Sequence, residues 1–524
     1  MALLVLPLWA WVEGGTTAAL GRETPDLLGH LWTIWHMTVE EPTRSTMVGW
    51  PEGIDLLPIL GGWGDVLLGG LAARWLGAVG GWNLAMAVYL ALAGVGGFAL
   101  ARALGASTSN GAAVVAGLLL QLDAPTLQHL QSGRGEQVGI GVLALFFAAA
   151  LHTARTPGWR APVATALCGL LSVAVAWEYS LFVGMLGLAV FAAAPDADAR
   201  RRILAAGLGT LLLVSPLLIP FVSRSAALPP GRLDADWALR SARNALVPLG
   251  PLGWRGFLPG TAGLLALALV PWTATGVNRR LKHVVIVLLL TVLALSFGPE
   301  PHLSAPAEGS PRAWAPFTWL HSVPGLSRYQ TPARLLVPWS LLACAAAALL
   351  VDKVAHRHLL LGGLVGTVAV SLQLAEVRGL LPQATYSLPD PRGLAELAED
   401  NHPGAIFDLP VRARGTGRVQ RQLLQMVHGR PIRHHSLEVY LQSGEPQAPD
   451  PVVVWAHPPV NRGAGPPDAM LASLRDRGFG WVMLHQGQDK PHLERALQAR
   501  LTEFLGPAQH RGHRWRAWRV PTAD

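Results

Sequence analysis

Residues 21–36 read Gly-Arg-Glu-Thr-Pro-Asp-Leu-Leu-Gly-His-Leu-Trp-Thr-Ile-Trp-His. Two carboxylates, Glu23 and Asp26, and a histidine, His30, fall where the pattern predicts the start of a helix. Thr24 or Asp26 can cap that helix, and Pro25 suits its first turn. A carboxylate fixed there can take a proton from a hydroxyl, which is the work of a general base. The plainer reading is that Asp26 only caps the helix and complements its dipole. Arginine offers a planar donor fork that fits phosphate oxygens. It stands at three further places: Arg134, in a short segment with His129 and Glu136, and Arg328 and Arg334. The plain alternatives are loop solvation for Arg134 and Arg328 and snorkelling for Arg334. Glu178 lies between two apolar runs, either as a surface turn or as a functional acid at membrane depth. Asp65 presents the same choice more weakly. The candidate catalytic residues are therefore Asp26, with Glu23 in reserve. The candidate substrate-binding residues are His30, His129, Arg134, Glu178, Arg328 and Arg334.

The elements that must position these side chains are membrane helices. Of 524 residues, 51% are hydrophobic and only 14% charged, against roughly 25% charged in ordinary globular domains. A span needs about 20 mostly apolar residues. Apolar runs near 2–13, 82–103, 109–122, 137–154, 161–177, 180–194, 203–222, 260–275, 284–298, 333–351 and 359–377 predict about 11 spans, some of them short. The net charge of +8 does not point to nucleic acid, because no basic groove with interleaved aromatics is present. Arginines near span ends set topology and meet anionic headgroups instead. The short breaks with Arg155 and Arg160, with Arg200, Arg201 and Arg202, with Arg279, Arg280 and Lys282, and with Lys353 and Arg357 are basic and belong in the cytoplasm.

Parity then puts 14–81, 123–136, 223–259, 299–332 and 379–524 outside, with the N-terminus in the cytoplasm. If 2–13 and 82–103 both cross, the Gly-rich run 56–76, interrupted by Asp65 and Arg74, should not cross; an ordinary span is the competing reading. The run 2–12 is short and lacks a basic flank, and suggests a clipped first helix. Leu27, Leu28, Leu31, Ile34 and Trp35 share one face, as expected of an amphipathic helix lying in the interface. Trp50, Trp82, Trp159, Trp177 and Trp272 flank apolar runs, where interfacial anchors belong. Cys168 and Cys344 sit inside apolar runs and read as buried thiols. The chain thus divides into a core, 1–378, and a small soluble α/β domain, 379–524. In that domain helices are expected near 393–399, 418–428, 468–477 and 491–505, with strands near 405–409, 481–485 and 513–520. No nucleophile elbow, phosphate-cradling loop or zinc spacing appears there. No cofactor is implied with certainty. Asp234 and Asp236, in the long loop 223–259, are the one pair that suggests a divalent metal. His434 and His435 are adjacent, point to opposite faces of an extended segment and read as surface residues.

The order of these pieces resembles the GT-C superfamily of lipid-linked-sugar glycosyltransferases, in particular its bacterial mannosyltransferase-like branch. There the first loop reads Gly-Asp-x-Leu-x-x-x-Trp-x-x-x-Trp. Here Pro25-Asp26-Leu27-Leu28-Gly29-His30-Leu31-Trp32-Thr33-Ile34-Trp35 differs by Pro for Gly and a second Trp one residue early. Trp50-Pro51-Glu52-Gly53-Ile54-Asp55, Trp82-Asn83-Leu84, His129-Leu130-Gln131, Pro324-Gly325-Leu326-Ser327-Arg328, Pro332-Ala333-Arg334, Phe407-Asp408-Leu409-Pro410 and His428-Gly429-Arg430-Pro431 also match. The resemblance covers nearly the whole chain and implies a multi-pass protein of the bacterial inner membrane with an extracytoplasmic C-terminal domain. It implies an inverting hexosyl transfer from a polyprenyl-phosphate sugar to an outer-face glycan, lipid or protein, with Asp26 as base. The acidic pair frequent in the family is absent here. The alternatives are a non-catalytic GT-C-like protein of envelope assembly, or a lipid or glycan transporter. The last lacks the internal repeat and paired broken helices that transporters show.

Overall fold

The computed structural model describes residues 2–57, 62–106, 110–226, 248–249, 253–254, 279–296, 316–321, 332–381, 384–388, 393–410, 417–433, 451–456, 467–488 and 490–522. The expected span 260–275, Trp272, Arg328, Asp234, Asp236, His434 and His435 lie outside them. The helices of the first part are α1 (Ala2–Gly14), α2 (Pro25–Val39), α3 (Gly64–Leu104), α4 (Asn110–Gln121), α5 (Ala124–Gln131), α6 (Gly135–Val138), α7 (Ile140–Arg155), α8 (Arg160–Val175), α9 (Tyr179–Ala193) and α10 (Ala197–Ala226). Then come α11 (Arg279–Ser296), α12 (Pro316–His321), a 3-10 turn at Pro332–Leu336, α13 (Val337–Arg357) and α14 (Leu359–Val377). Among the described residues, five helices are long and apolar enough to cross a membrane, and four shorter apolar helices accompany them. Leu204, Leu208, Leu211 and Leu212 on α10 and Leu360 and Leu364 on α14 are exposed. Such apolar sides are covered only by lipid or by another protein.

The bundle has two chemically distinct ends. The basic breaks after α7 and α9 and between α13 and α14 lie at one end. The other end gathers the C-termini of α4 and α8 and the N-termini of α7, α9 and α13. Helix α3 is not one rod. Gly77 takes φ 70°, ψ 169°, a conformation essentially restricted to glycine, and the chain folds back there. Gly81 packs against the Gly69 carbonyl, and Gly64 against the Tyr89 hydroxyl. The arm 64–76 therefore runs antiparallel to the arm 78–104 and does not extend it. The apolar run 56–76 thus does not continue the following span, and its Asp65 is delivered to the end of the bundle where α7 begins.

Short strands tie the first loop to the C-terminal part. β1 (Ala18–Leu20) pairs antiparallel with a strand at Thr385–Ser387. β2 (Arg44–Ser45) pairs with β3 (Ile54–Asp55). β4 (Pro248–Leu249) pairs with β5 (Gly253–Trp254), which makes the 385–387 strand β6. Beyond it come α15 (Leu394–Glu399), β7 (Ala405–Leu409), α16 (Gly417–His428), α17 (Pro451–Ala456), α18 (Pro467–Asp476), β8 (Phe479–His485), α19 (Pro491–Leu505), β9 (His510–Gly512) and β10 (Trp515–Arg519). β7 and β8 are parallel, and β8, β10 and β9 are antiparallel, giving the order β7-β8-β10-β9. Every residue of β7 and β8 is buried, as expected of a pair covered on both faces.

Three sequence expectations are refined. α2 does not lie on lipid. Leu27, Leu28, Leu31 and Ile34 enter the bundle core, while Trp32 on its other side enters a cluster with Ile432, Trp481 and Trp515 of the C-terminal domain. Amphipathic spacing identified the helix but not what covers its second face. Trp82 is not an interfacial anchor. It is fully buried, and its indole donates to the Leu20 carbonyl at 2.8 Å. Cys344 is a buried free thiol, and Cys168 a half-buried one.

Candidate active site

Six elements bring charged side chains together at the end of the bundle beneath the C-terminal domain. The local sequence explains the first. Thr24 is the N-cap of α2, its hydroxyl accepting from the Leu27 amide at 3.2 Å, and Pro25 occupies the first turn. The Asp26 carboxylate is therefore free of capping. It accepts from Arg134 Nε at 2.7 Å and keeps 44% of its side-chain surface exposed. Arg134 is presented by the tight connection between α5 and α6, its amide donating to the His129 carbonyl.

One turn along α2, His30 faces two carboxylates. Its Nδ1 lies 2.8 Å from Asp65 Oδ2, and its Nε2 lies 3.2 Å from Glu136 Oε2. A neutral imidazole carries one N–H, so a ring with a carboxylate at each nitrogen is best satisfied as the cation. Burial pushes the His30 pKa down. The Asp65 charge, with the contacts to Asp65 and Glu136, outweighs burial and holds it well above the ordinary histidine value. The indole of Trp82 backs the ring, with centroids 5.4 Å apart. Asp65 is fully buried and packs against Gly135, where any side chain would collide with its carboxylate.

The chain of charges continues. Arg334, from the 3-10 turn ahead of α13, lies 2.7 Å from Glu178 and 4.0 Å from Glu136. Gln137 donates to the other Glu178 oxygen at 2.9 Å. Glu178 precedes α9 and is almost completely buried. His129 lies near Arg334 and Arg134. Burial, followed by these two charges, pushes its pKa well below the ordinary value, so it is neutral. The structure thus gathers Asp26, His30, His129, Arg134, Glu178 and Arg334 at one end of the bundle. Glu23 is directed elsewhere and accepts from Gln420 at 2.6 Å. Asp65 and Glu136 were not singled out as site residues. The signals for them were an acid inside an apolar run and an acid two residues beyond Arg134. Among the described residues, no group of three or more His, Cys, Asp or Glu is arranged to hold a metal ion.

The protein combines a bilayer-spanning bundle with a polar, partly open cluster at one end of it. Solved structures share this architecture. The chain is similar to the arabinofuranosyltransferase AftD from Mycobacteria, with 14% identity, 95% of this chain and 36% of that chain covered, and a TM-score of 0.58. A second AftD structure, the R1389S mutant, gives 14% identity, 100% and 41% coverage, and a TM-score of 0.59. The chain is also similar to the Archaeoglobus fulgidus oligosaccharyltransferase, with 12% identity, 93% and 68% coverage, and a TM-score of 0.51. The likeness defines the fold: this is a polytopic α-helical membrane protein of GT-C architecture with a small C-terminal α/β domain. It spans little more than a third of the length of the AftD chain, at 36%. No protein-family model and no curated protein matches the sequence.

Proposed function

We propose that this chain is a membrane glycosyltransferase of the bacterial inner membrane. It moves a sugar from a polyprenyl-phosphate donor to a glycan, lipid or protein hydroxyl, and its C-terminal domain and reaction face are extracytoplasmic. Asp26 is the general base. The observation that carries this reading is that Asp26 opens α2 without capping it, half-exposed and oriented by Arg134, at the end of the bundle where the charged cluster gathers. In the transfer, the acceptor oxygen bonds to the anomeric carbon while that carbon's bond to the phosphate oxygen breaks. The hydroxyl proton passes to Asp26, and the polyprenyl phosphate leaves with the electron pair. Negative charge grows on the phosphate, so fixed cations aimed at it stabilise the transition state. Arg134 and Arg334 belong to the charged cluster at this end, and we assign them that task together with Arg328. His30 is already engaged by two carboxylates. His129, a neutral imidazole, can hydrogen-bond a sugar hydroxyl.

The test is transfer by the purified wild-type protein in proteoliposomes, offered radiolabelled polyprenyl-phosphate hexoses and pentoses together with membrane extract. Label moving from the lipid phase to an acceptor is expected for at least one donor. Absence of transfer across the panel supports instead a non-catalytic GT-C-like role in envelope assembly.

A further inference from the structure

The C-terminal helix α16 lies across the outer side of α2, and its buried face is unusual. Arg421, Gln422, Gln425 and His428 are all buried on it. A buried polar face is costly unless its groups are satisfied, and apolar side chains would pack there at lower cost. Its hydrogen bonds show where the polarity is used. Trp32 Nε1 donates to Gln425 Oε1 at 2.8 Å, and both residues are fully buried. An indole can only donate, so it fixes which end of the amide faces α2. The amide's two N–H groups then reach the carbonyls of Met47 in the first loop and Arg430. Both N–H groups and one acceptor site of the amide are thus directed. Gln420, on the same helix, donates to Glu23 just ahead of α2 at 2.6 Å. α16 therefore grips the segment at two places, one on each side of Asp26.

We infer that Gln425 is a positioning residue for the candidate base, setting the rotation and depth of α2 through the indole of Trp32. The inference rests on the transferase reading for its catalytic meaning. A helix is stiff, so an error at Trp32 is carried to Asp26, six residues and about 9 Å along the axis. It is carried to His30 as well. Apolar packing alone leaves a helix able to slip or roll, whereas a buried amide holding three directed hydrogen bonds favours one arrangement. The polar face of α16 thus sets register, and the C-terminal domain becomes part of the site without touching substrate.

The experiment uses the full-length protein in detergent or nanodiscs, with Gln425→Met, Trp32→Phe and the double variant. Trp32→Phe keeps an aromatic ring at the site while removing the donor together with part of the indole's volume, so it is a second, independent way of breaking the contact should the Gln425→Met protein not fold. The first readout is amide hydrogen exchange in α2, independent of any activity. Faster exchange in each single variant, with α7 and α13 unchanged, is expected. The second is turnover per folded molecule: kcat about tenfold lower with donor KM unchanged, and a double variant no worse than the poorer single one. A purely structural contact would lower the melting temperature and leave kcat per folded molecule intact. Unchanged exchange in α2 would overturn the inference even if transfer fell. If the wild type transfers no sugar, the transferase reading fails, and exchange alone decides whether Gln425 anchors α2.

Discussion

Arg334 shows how far the site depends on matched charge. It stands between Glu178 at 2.7 Å and Glu136 at 4.0 Å, and all three side chains are at most 15% exposed. Such a group is worth little as a net stabiliser against an apolar substitute, but removing one member strands the others. Arg334→Met is therefore expected to destabilise the protein by about 3–5 kcal/mol, as a fall in melting temperature in detergent. A variant melting with the wild type would show that Glu136 and Glu178 do not depend on it. Arg334 could be named from sequence because an arginine beside a span has few purposes. Glu178 could be named as well, but not its pairing with Arg334, since that joins residues 156 apart and no local periodicity reports on it. Asp65 was legible only as an anomaly in an apolar run. Its role follows from His30, Gly135 and Glu136 converging on it from two other helices.

At the scale of elements, Gly77 decides where Asp65 sits. With φ 70° and ψ 169° it makes the reversal that brings the arm 64–76 back along 78–104. Gly77→Ala meets no steric neighbour, so its cost isolates the backbone term, expected at about 1–3 kcal/mol. Gly81→Ala, which would collide with the Gly69 carbonyl, should be worse. Chemical unfolding of both variants followed by tryptophan fluorescence checks the order, and a Gly77→Ala protein as stable as the wild type would contradict the hairpin. The helices themselves were readable from apolar runs, because a span must satisfy its backbone internally and shows this as length and composition. The reversal at Gly77 was not directly readable, because the residues on both sides are equally apolar and Gly-rich. Charge parity gave only the weaker statement that the run does not cross. For α2 the period was legible and the partner was not, since a tryptophan face looks the same whether lipid or a protein domain covers it.

For the molecule as a whole, the C-terminal domain carries buried histidines that predict its behaviour in acid. His485 Nε2 lies 2.7 Å from Asp408 across the parallel strands. Burial lowers its pKa despite Asp408, and burial pushes the nearby His428 down to about 3. In the fold both therefore take up a proton less readily than in the unfolded chain, where histidine protonates near 6.5. Their stabilisation is thus complete above about pH 6.5 and is lost as pH falls toward the folded values, at up to about 1.4 kcal/mol per pH unit for each group. The melting temperature is expected to drop steadily from pH 7 to pH 4, and less so in His428→Gln; parallel profiles would contradict this. Composition had divided the chain into a membrane core and a soluble domain, and the GT-C fold accommodates both. Composition did not reveal how closely they join: β1 with β6, Trp32 with Gln425 and Glu23 with Gln420 link residues far apart in sequence. The central claim is that the base is the carboxylate opening α2 and not the one three residues before it. The most direct test is turnover at saturating donor for Asp26→Asn and Glu23→Gln beside the wild type. Asp26→Asn is expected to lose at least about 100-fold in kcat, with Glu23→Gln within a few-fold of the wild type; an Asp26→Asn protein that transfers sugar at the wild-type rate would contradict the assignment.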